Sequence, residues 1–211
     1  MKIKLNRRDV AVLKFIAEQG PTRVSTVERY LNIIKIPTEK RNLRRILEKL
    51  ELNGYLCRKQ ILSGSSIVWP TSRGLKFSGL GKTKIKVGST PSMETLRHSI
   101  QVAEIRLVYE ANGAQWNCER SIVNVFPNHL PDGLAIYEGQ KILVEVDRTR
   151  KSHNRLTEIM KANALAFSSN AYVDYWVEPD LLKFVQSHRH LLPYGMGDRI
   201  RIFEIPGEAR L

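Results

Sequence analysis

Three carboxylates stand close enough in this chain to share one chemistry. Asp132 follows Pro131, and thirteen residues later Glu145 and Asp147 flank Val146 in the run Ile142-Leu143-Val144-Glu145-Val146-Asp147. That run is apolar up to its two acids and reads as a strand. Strand side chains alternate faces, so Glu145 and Asp147 point the same way. Asp132 stands at the start of a second predicted strand, 133–137, which Glu138-Gly139 joins to 141–147. If the two strands pair as a hairpin, all three carboxylates converge. Unpaired like charges raise each other's proton affinity and cost stability. A hard divalent cation, Mg²⁺ or Mn²⁺, relieves that cost through oxygen ligands. Such an ion activates water and stabilises the charge that develops in phosphodiester hydrolysis. Asp132, Glu145 and Asp147 are therefore candidate metal ligands and candidate catalytic residues, and Glu104, upstream on a helix, is a fourth candidate acid.

The positive charge collects elsewhere. Residues 1–88 carry 20 Lys/Arg against 6 Asp/Glu, a net of +14, whereas residues 89–211 carry 14 against 15, a net of −1. The formal charge of +13 favours phosphate-rich partners, nucleic acid first and an anionic membrane surface second. Much of that charge falls on one predicted helix, capped by Thr38 and running to about Asn53. Leu43, Ile46, Leu47 and Leu50 give it a buried stripe, and its other surface presents Lys40, Arg41, Arg44, Arg45 and Lys49. Such a row of cations repels itself in isolation. Phosphates remove the repulsion and release counterions. Arg41, Arg44 and Arg45 are assigned to a DNA groove, and Lys40, Lys49, Arg58 and Lys59 to the backbone. The plain alternative is a solvated basic face with no DNA. Which arginine reads a base and which holds a phosphate is left open.

The elements around that helix follow from caps and periods. Asn6 caps a helix to about Gln19, closed by Gly20-Pro21. A second helix covers roughly 24–31. After Gly54 the period changes, and 55–62 and 67–70 flank Ser63-Gly64-Ser65-Ser66 as a hairpin. Thr71 caps a short helix over 72–80. Three helices and a hairpin resemble a winged helix-turn-helix, with the third helix sized for the major groove and the hairpin as the wing. Residues 81–92 read as a basic linker.

The remainder reads as an α/β module in the order α-β-β-β-α-β-α-β, which gives a mixed central sheet with helices packed on it. Its first helix is capped by Ser92 and closed by Gly113. A strand is predicted at 116–119, a helix from Ser152 or His153 to about Ser168, a strand at 172–177, a helix at 180–188 and a last strand at 199–205. The domain expectation is thus 1–80, a linker at 81–92, and 93–211.

Pro131-Asp132 followed by Glu145-Val146-Asp147, with Glu104 on an upstream helix, resembles the restriction-endonuclease-like superfamily. With the winged helix in front, the chain resembles the replication-relaxation proteins of plasmids, phages and integrative elements, which read roughly Pro-Asp-Gly, a spacer, then Glu-Val-Asp-Arg-Thr. The matching residues are Pro131-Asp132-Gly133 and Glu145-Val146-Asp147-Arg148-Thr149. The resemblance implies Asp132 and Glu145 as metal ligands. The nuclease pattern wants lysine where Asp147 stands. Lys151 after the strand, or Lys161 on the following helix, is the candidate replacement, with Lys161 the better placed. Arg148, Arg150 and Arg155 are candidates to hold phosphates.

Two functions follow as expectations. One is a sequence-specific double-stranded DNA-binding protein of a mobile element, acting in replication, transfer or transcriptional control. Its nuclease-like module is then non-catalytic and serves dimerisation or extra DNA contact. The other is a Mg²⁺- or Mn²⁺-dependent endonuclease directed by the winged helix. DNA binding itself requires no cofactor. Expected partners are duplex DNA, a second copy of the chain, and a replication or transfer protein of the same element, with no membrane. Cys57 and Cys118 are too far apart for a close-spaced metal or redox pair and read as reduced thiols in a cytoplasmic protein. No Gly-rich loop precedes a Lys-Ser/Thr pair, which argues against nucleotide hydrolysis. His188-Arg189-His190 reads as a polar surface patch, Asp174 as solvated, and His129 as either an aid to the acidic site or a cap of its loop.

Overall fold

The computed structural model describes residues 4–62, 65–80, 90–122, 129–165, 171–192 and 195–207. Most of the expected linker, residues 81–89, lies outside them, as do Ser63 and Gly64 of the expected wing turn. The chain forms two compact units, Met1–Leu107 and Val108–Leu211, in a two-part α/β architecture.

In the first unit, α1 (Arg7–Gln19) begins at a capping box. The Asp9 N–H donates to the Asn6 side chain at 2.9 Å, and the Asn6 N–H donates to the Asp9 carboxylate at 3.0 Å. A two-residue strand that sequence reading passed over, β1 (Thr22–Arg23), leads straight into α2 (Val24–Ile33). Then α3 (Lys40–Leu52) starts two residues after its expected cap. Glu39 is the N-cap, and the buried Thr38 hydroxyl instead donates back to the Ile36 carbonyl at 3.0 Å. Gly54, at φ +68°, lets the chain turn so that the Tyr55 N–H reaches the Leu50 carbonyl.

The hairpin forms from β2 (Leu56–Leu62) and β3 (Ser65–Pro70), in antiparallel register from Leu56↔Pro70. β1 adds to the far edge of β3 through Thr22↔Val68, giving the order β1-β3-β2. Thr71 caps α4 (Ser72–Phe77) by accepting from the Gly74 N–H at 3.1 Å. Leu13, Phe15, Val27, Leu31, Leu47 and Leu50 are wholly buried in the core of this unit. Each such side chain contributes about 1.5–3 kcal/mol by leaving water.

Helix α5 (Met93–Ala111) opens on Ser92, whose Oγ accepts from the Thr95 N–H at 3.2 Å. Its Leu96 and Ile100 are buried with Ile67 and Trp69, and its Leu107 joins the first core. The division between the two compact units falls inside α5.

The second unit holds one five-stranded sheet. Its elements are β4 (Gln115–Cys118), a helical turn α6 (Glu119–Ile122), β5 (Gly133–Tyr137), β6 (Gln140–Asp147), α7 (His153–Leu165), β7 (Ala171–Val177), α8 (Leu182–Arg189) and β8 (Ile200–Glu204). The strand order is β4-β5-β6-β7-β8, antiparallel from β4 to β6 and parallel from β6 to β8, so the sheet is mixed. Glu138 and Gly139, at φ 49° and 78°, form the two-residue turn between β5 and β6. Gly133 admits the Trp116 ring: a Cβ there would lie 2.0 Å from it.

One sheet face carries Leu143, Val173, Tyr175 and Val177, buried with Leu156, Ile159 and Met160 of α7 and Val185 of α8. On the opposite face, Asp174 is not solvated as expected. It is 2% exposed and accepts from the Tyr109 hydroxyl and from Arg201, at 2.6 Å from Nε and 2.9 Å from Nη2. β7 is a central strand with parallel partners on both sides, and such strands are covered on both faces. The His188-Arg189-His190 patch also divides. His190 is exposed, while His188 is buried, donates from Nδ1 to the Phe184 carbonyl at 2.7 Å and stacks on His153. Cys57 and Cys118 are both free thiols. Among the described residues, no helix is long and apolar enough to cross a membrane.

Candidate functional site

Successive residues of an α-helix are about 100° apart. In α3 this gathers Leu43, Ile46, Leu47 and Leu50 on the buried side and leaves Arg41, Arg45, Glu48 and Leu52 along the outer crest. Lys40, Arg41, Arg44 and Arg45 are all exposed, and so is Lys59 on β2. Among the described residues, Lys40, Arg41, Arg45 and Lys59 take part in no ion pair. Arg44 donates from Nε to Glu48 at 2.9 Å, and Arg58 of β2 reaches Glu51 at 3.2 Å and Glu48 at 3.9 Å. Exposed pairs of this kind hold about 0–1 kcal/mol, so a phosphate can replace either acid. The first unit as a whole carries 22 Lys/Arg against 8 Asp/Glu, a net of +14.

Lys49 behaves differently from the other cations. Its Nζ lies 2.7 Å from Asp9 Oδ2 and donates to the Lys4 carbonyl at 3.2 Å, and Asp9 is 1% exposed. Lys49 is thus the counter-charge of the acid in the α1 capping box. Lys49→Ala is expected to lower the stability of the protein by about 1–3 kcal/mol, because it leaves the buried Asp9 carboxylate with the Asn6 N–H but without its counter-charge. Urea unfolding of the variant beside Lys49→Arg, which keeps the charge, measures the loss.

The acidic cluster assembles as the strand pattern predicts. Glu145 and Asp147 share a face of β6, both buried, and the Gly133↔Val144 register sets Asp132 opposite Glu145. Each acid is already engaged by the protein. Asp132 Oδ2 accepts from the Val146 N–H at 2.8 Å. Glu145 Oε1 accepts from Asn163 Nδ2 at 2.9 Å and lies 2.8 Å from His129 Nε2. Asn163 Nδ2 is also 3.1 Å from the buried Tyr175 hydroxyl. Asp147 is ion-paired with Lys151.

Burial pushes the Glu145 carboxyl up to about 7. The His129 hydrogen bond pulls against that rise, and the charges of Asp132 and Asp147 add to it. The His129 imidazole is raised in turn, first by its hydrogen bond to Glu145. Burial opposes that, the charges of Glu145 and Asp132 add to it, and Arg155 opposes it.

Two expected members do not join the cluster. The Glu104 carboxylate is taken up inside the first unit, by the Thr26 hydroxyl at 2.6 Å and by Arg29. Lys161 is exposed, while Asn163, two positions on, is 2% exposed and faces Glu145. Two helical residues are about 200° apart, so a helix that turns Asn163 inward turns Lys161 outward. The cation at the strand end is Lys151. Asn163 was open to detection as a polar residue continuing the stripe Leu156, Ile159 and Met160 at helical spacing. Tyr175 gave no such signal, since an aromatic in a strand reads as core.

Among the described residues, no three of His, Cys, Asp and Glu are set to hold a metal ion. Lys151 already neutralises Asp147, and Asn163 and His129 already occupy Glu145 Oε1. As arranged, each of the three acids is met by a donor of the protein itself. No family model, curated protein or solved structure matches this chain.

Proposed function

We propose that the chain is a sequence-specific, double-stranded-DNA-binding protein of a mobile element. In this reading the first unit is a winged helix-turn-helix and the second is a non-catalytic module of the restriction-endonuclease-like kind. The observation that carries the reading is the cationic crest of α3, backed by a fully buried apolar stripe. A rigid helix with cations outward suits a major groove. The β2–β3 hairpin, with exposed Lys59, is then the wing, and β1 ties that wing to the start of α2.

The non-catalytic reading of the second unit rests on the acids. Asp132, Glu145 and Asp147 are held by a backbone N–H, an asparagine and a lysine. The resemblance to replication-relaxation proteins adds the mobile-element setting, with dimerisation or a further DNA contact as the role of the module.

The test is a pair of assays on the full chain. Gel shifts with duplex and single-stranded competitors are expected to show binding that duplex DNA competes best. Incubation of supercoiled plasmid, and of duplex selected from a random pool, with Mg²⁺ or Mn²⁺ is expected to leave both uncut. Nicking that Asp132→Ala and Glu145→Ala both abolish would establish the endonuclease instead.

A further inference from the structure

Two hollows flank α3. One, of about 570 Å³, is lined by Arg23, Lys40, Arg44 and Arg58, with Glu28 on its wall. The other, of about 300 Å³, is lined by Arg8, Arg45 and Lys49, with Asp9 beside them. The helix itself separates them. At about 100° per residue, Lys40 and Arg44 lie on one flank and Lys49 on the other, with Arg41 and Glu48 on the crest between and Arg45 at the edge of the crest on the Lys49 side.

We infer that these hollows are phosphate seats for the two strands of one duplex, so that α3 lies between both backbones with its crest toward the bases. The inference rests on the duplex-binding reading of the first unit and adds to it which cations hold which strand. A major groove about 12 Å wide just admits a helix with its side chains. A helix lying in that groove has a phosphate backbone on each flank.

The charge of each seat fits an anion. In the larger hollow, Arg44 and Arg58 are held by Glu48 and Glu51 at the surface, where a phosphate can take the place of the carboxylates. In the smaller one, Lys49 balances Asp9, which leaves Arg8 and Arg45 in excess. Arg8, on the wall of that hollow, has a buried Nε that makes no hydrogen bond among the described residues.

The experiment compares Arg23→Ala/Arg58→Ala, Arg8→Ala/Arg45→Ala and the combined four-fold variant. Each is titrated with salt on a short random-sequence duplex and on one of its strands alone. For every phosphate that a variant no longer neutralises, the logarithmic salt slope is expected to fall by about 0.9 on a duplex. Each pair variant therefore flattens the slope by about 1–2, and the combined variant flattens it by the sum. On the single strand, which has only one backbone, the two losses are expected to fall short of additive. Arginine-to-lysine versions keep the slope, and thermal melting identifies any variant that has simply unfolded.

A duplex slope untouched by either pair variant whose lysine version folds would overturn the two-strand arrangement while leaving duplex binding intact. Full additivity on the single strand would do the same. A wild-type chain that binds no duplex at all would remove the underlying reading as well.

Discussion

Arg41→Ala is expected to cost about 1–3 kcal/mol of discrimination between a site selected from a random pool and random duplex, the range for removal of a bidentate hydrogen-bond pair to a base. Arg41 stands on the crest of α3, exposed and outside every ion pair among the described residues. Leu43, Ile46, Leu47 and Leu50 bury the opposite side of the helix in the core. In the duplex-binding reading proposed above, a crest position meets base edges, whereas the flanks meet phosphates. Arg41→Lys sharpens the test, because an ammonium keeps the charge but lacks the planar fork. The lysine variant should keep the salt slope and still lose discrimination. Equal discrimination by wild type and Arg41→Ala, measured by equilibrium binding to both duplexes, would move base readout elsewhere.

The second large effect concerns Glu145, whose buried carboxyl is raised from an ordinary 4.5 to about 7. Below pH 4.5 the group is protonated folded and unfolded, and it imposes no penalty. As pH rises through 7, the unfolded chain releases this proton more readily than the folded one, so stability falls. A rise of that size corresponds to about 3 kcal/mol lost by pH 8. His129 works in the same direction. Its raised affinity stabilises the fold while it is protonated, and that contribution fades as pH climbs past its folded value.

Glu145→Gln keeps an acceptor for Asn163 but cannot ionise. It should match wild type near pH 4.5 and exceed it by about 2–3 kcal/mol at pH 8, as read from urea unfolding at each pH. A variant less stable than wild type at pH 8 would show that the charged Glu145–His129 pair stabilises the fold.

Local chemistry explains what was legible in the sequence. The Asn6 and Thr71 caps, the stripe of α3 and the Glu138-Gly139 turn depend on residues within a few positions of each other, and all formed as expected. Glu145 and Asp147 share a face because strand alternation admits nothing else. The departures were set by distant partners. β1 has only two residues and exists because β3 lies beside it. Lys49 meets Asp9, forty positions away, and no periodicity within α3 signals that pairing. Glu104 and Asp174 each sit beside apolar neighbours in sequence, but their fates were decided by Thr26 and Arg29 in one case and by Tyr109 and Arg201 in the other. At the acidic cluster the error was angular. Lys161 and Asn163 are two residues apart, and only the packing of α7 decides which of them turns toward β6.

The most direct test of the α3 surface as a duplex-binding face is the wild-type association constant for a random-sequence duplex, measured between 50 and 200 mM salt. Binding through about six phosphates predicts a fall of roughly three orders of magnitude across that interval. An association constant that stays level over the same interval would contradict the account.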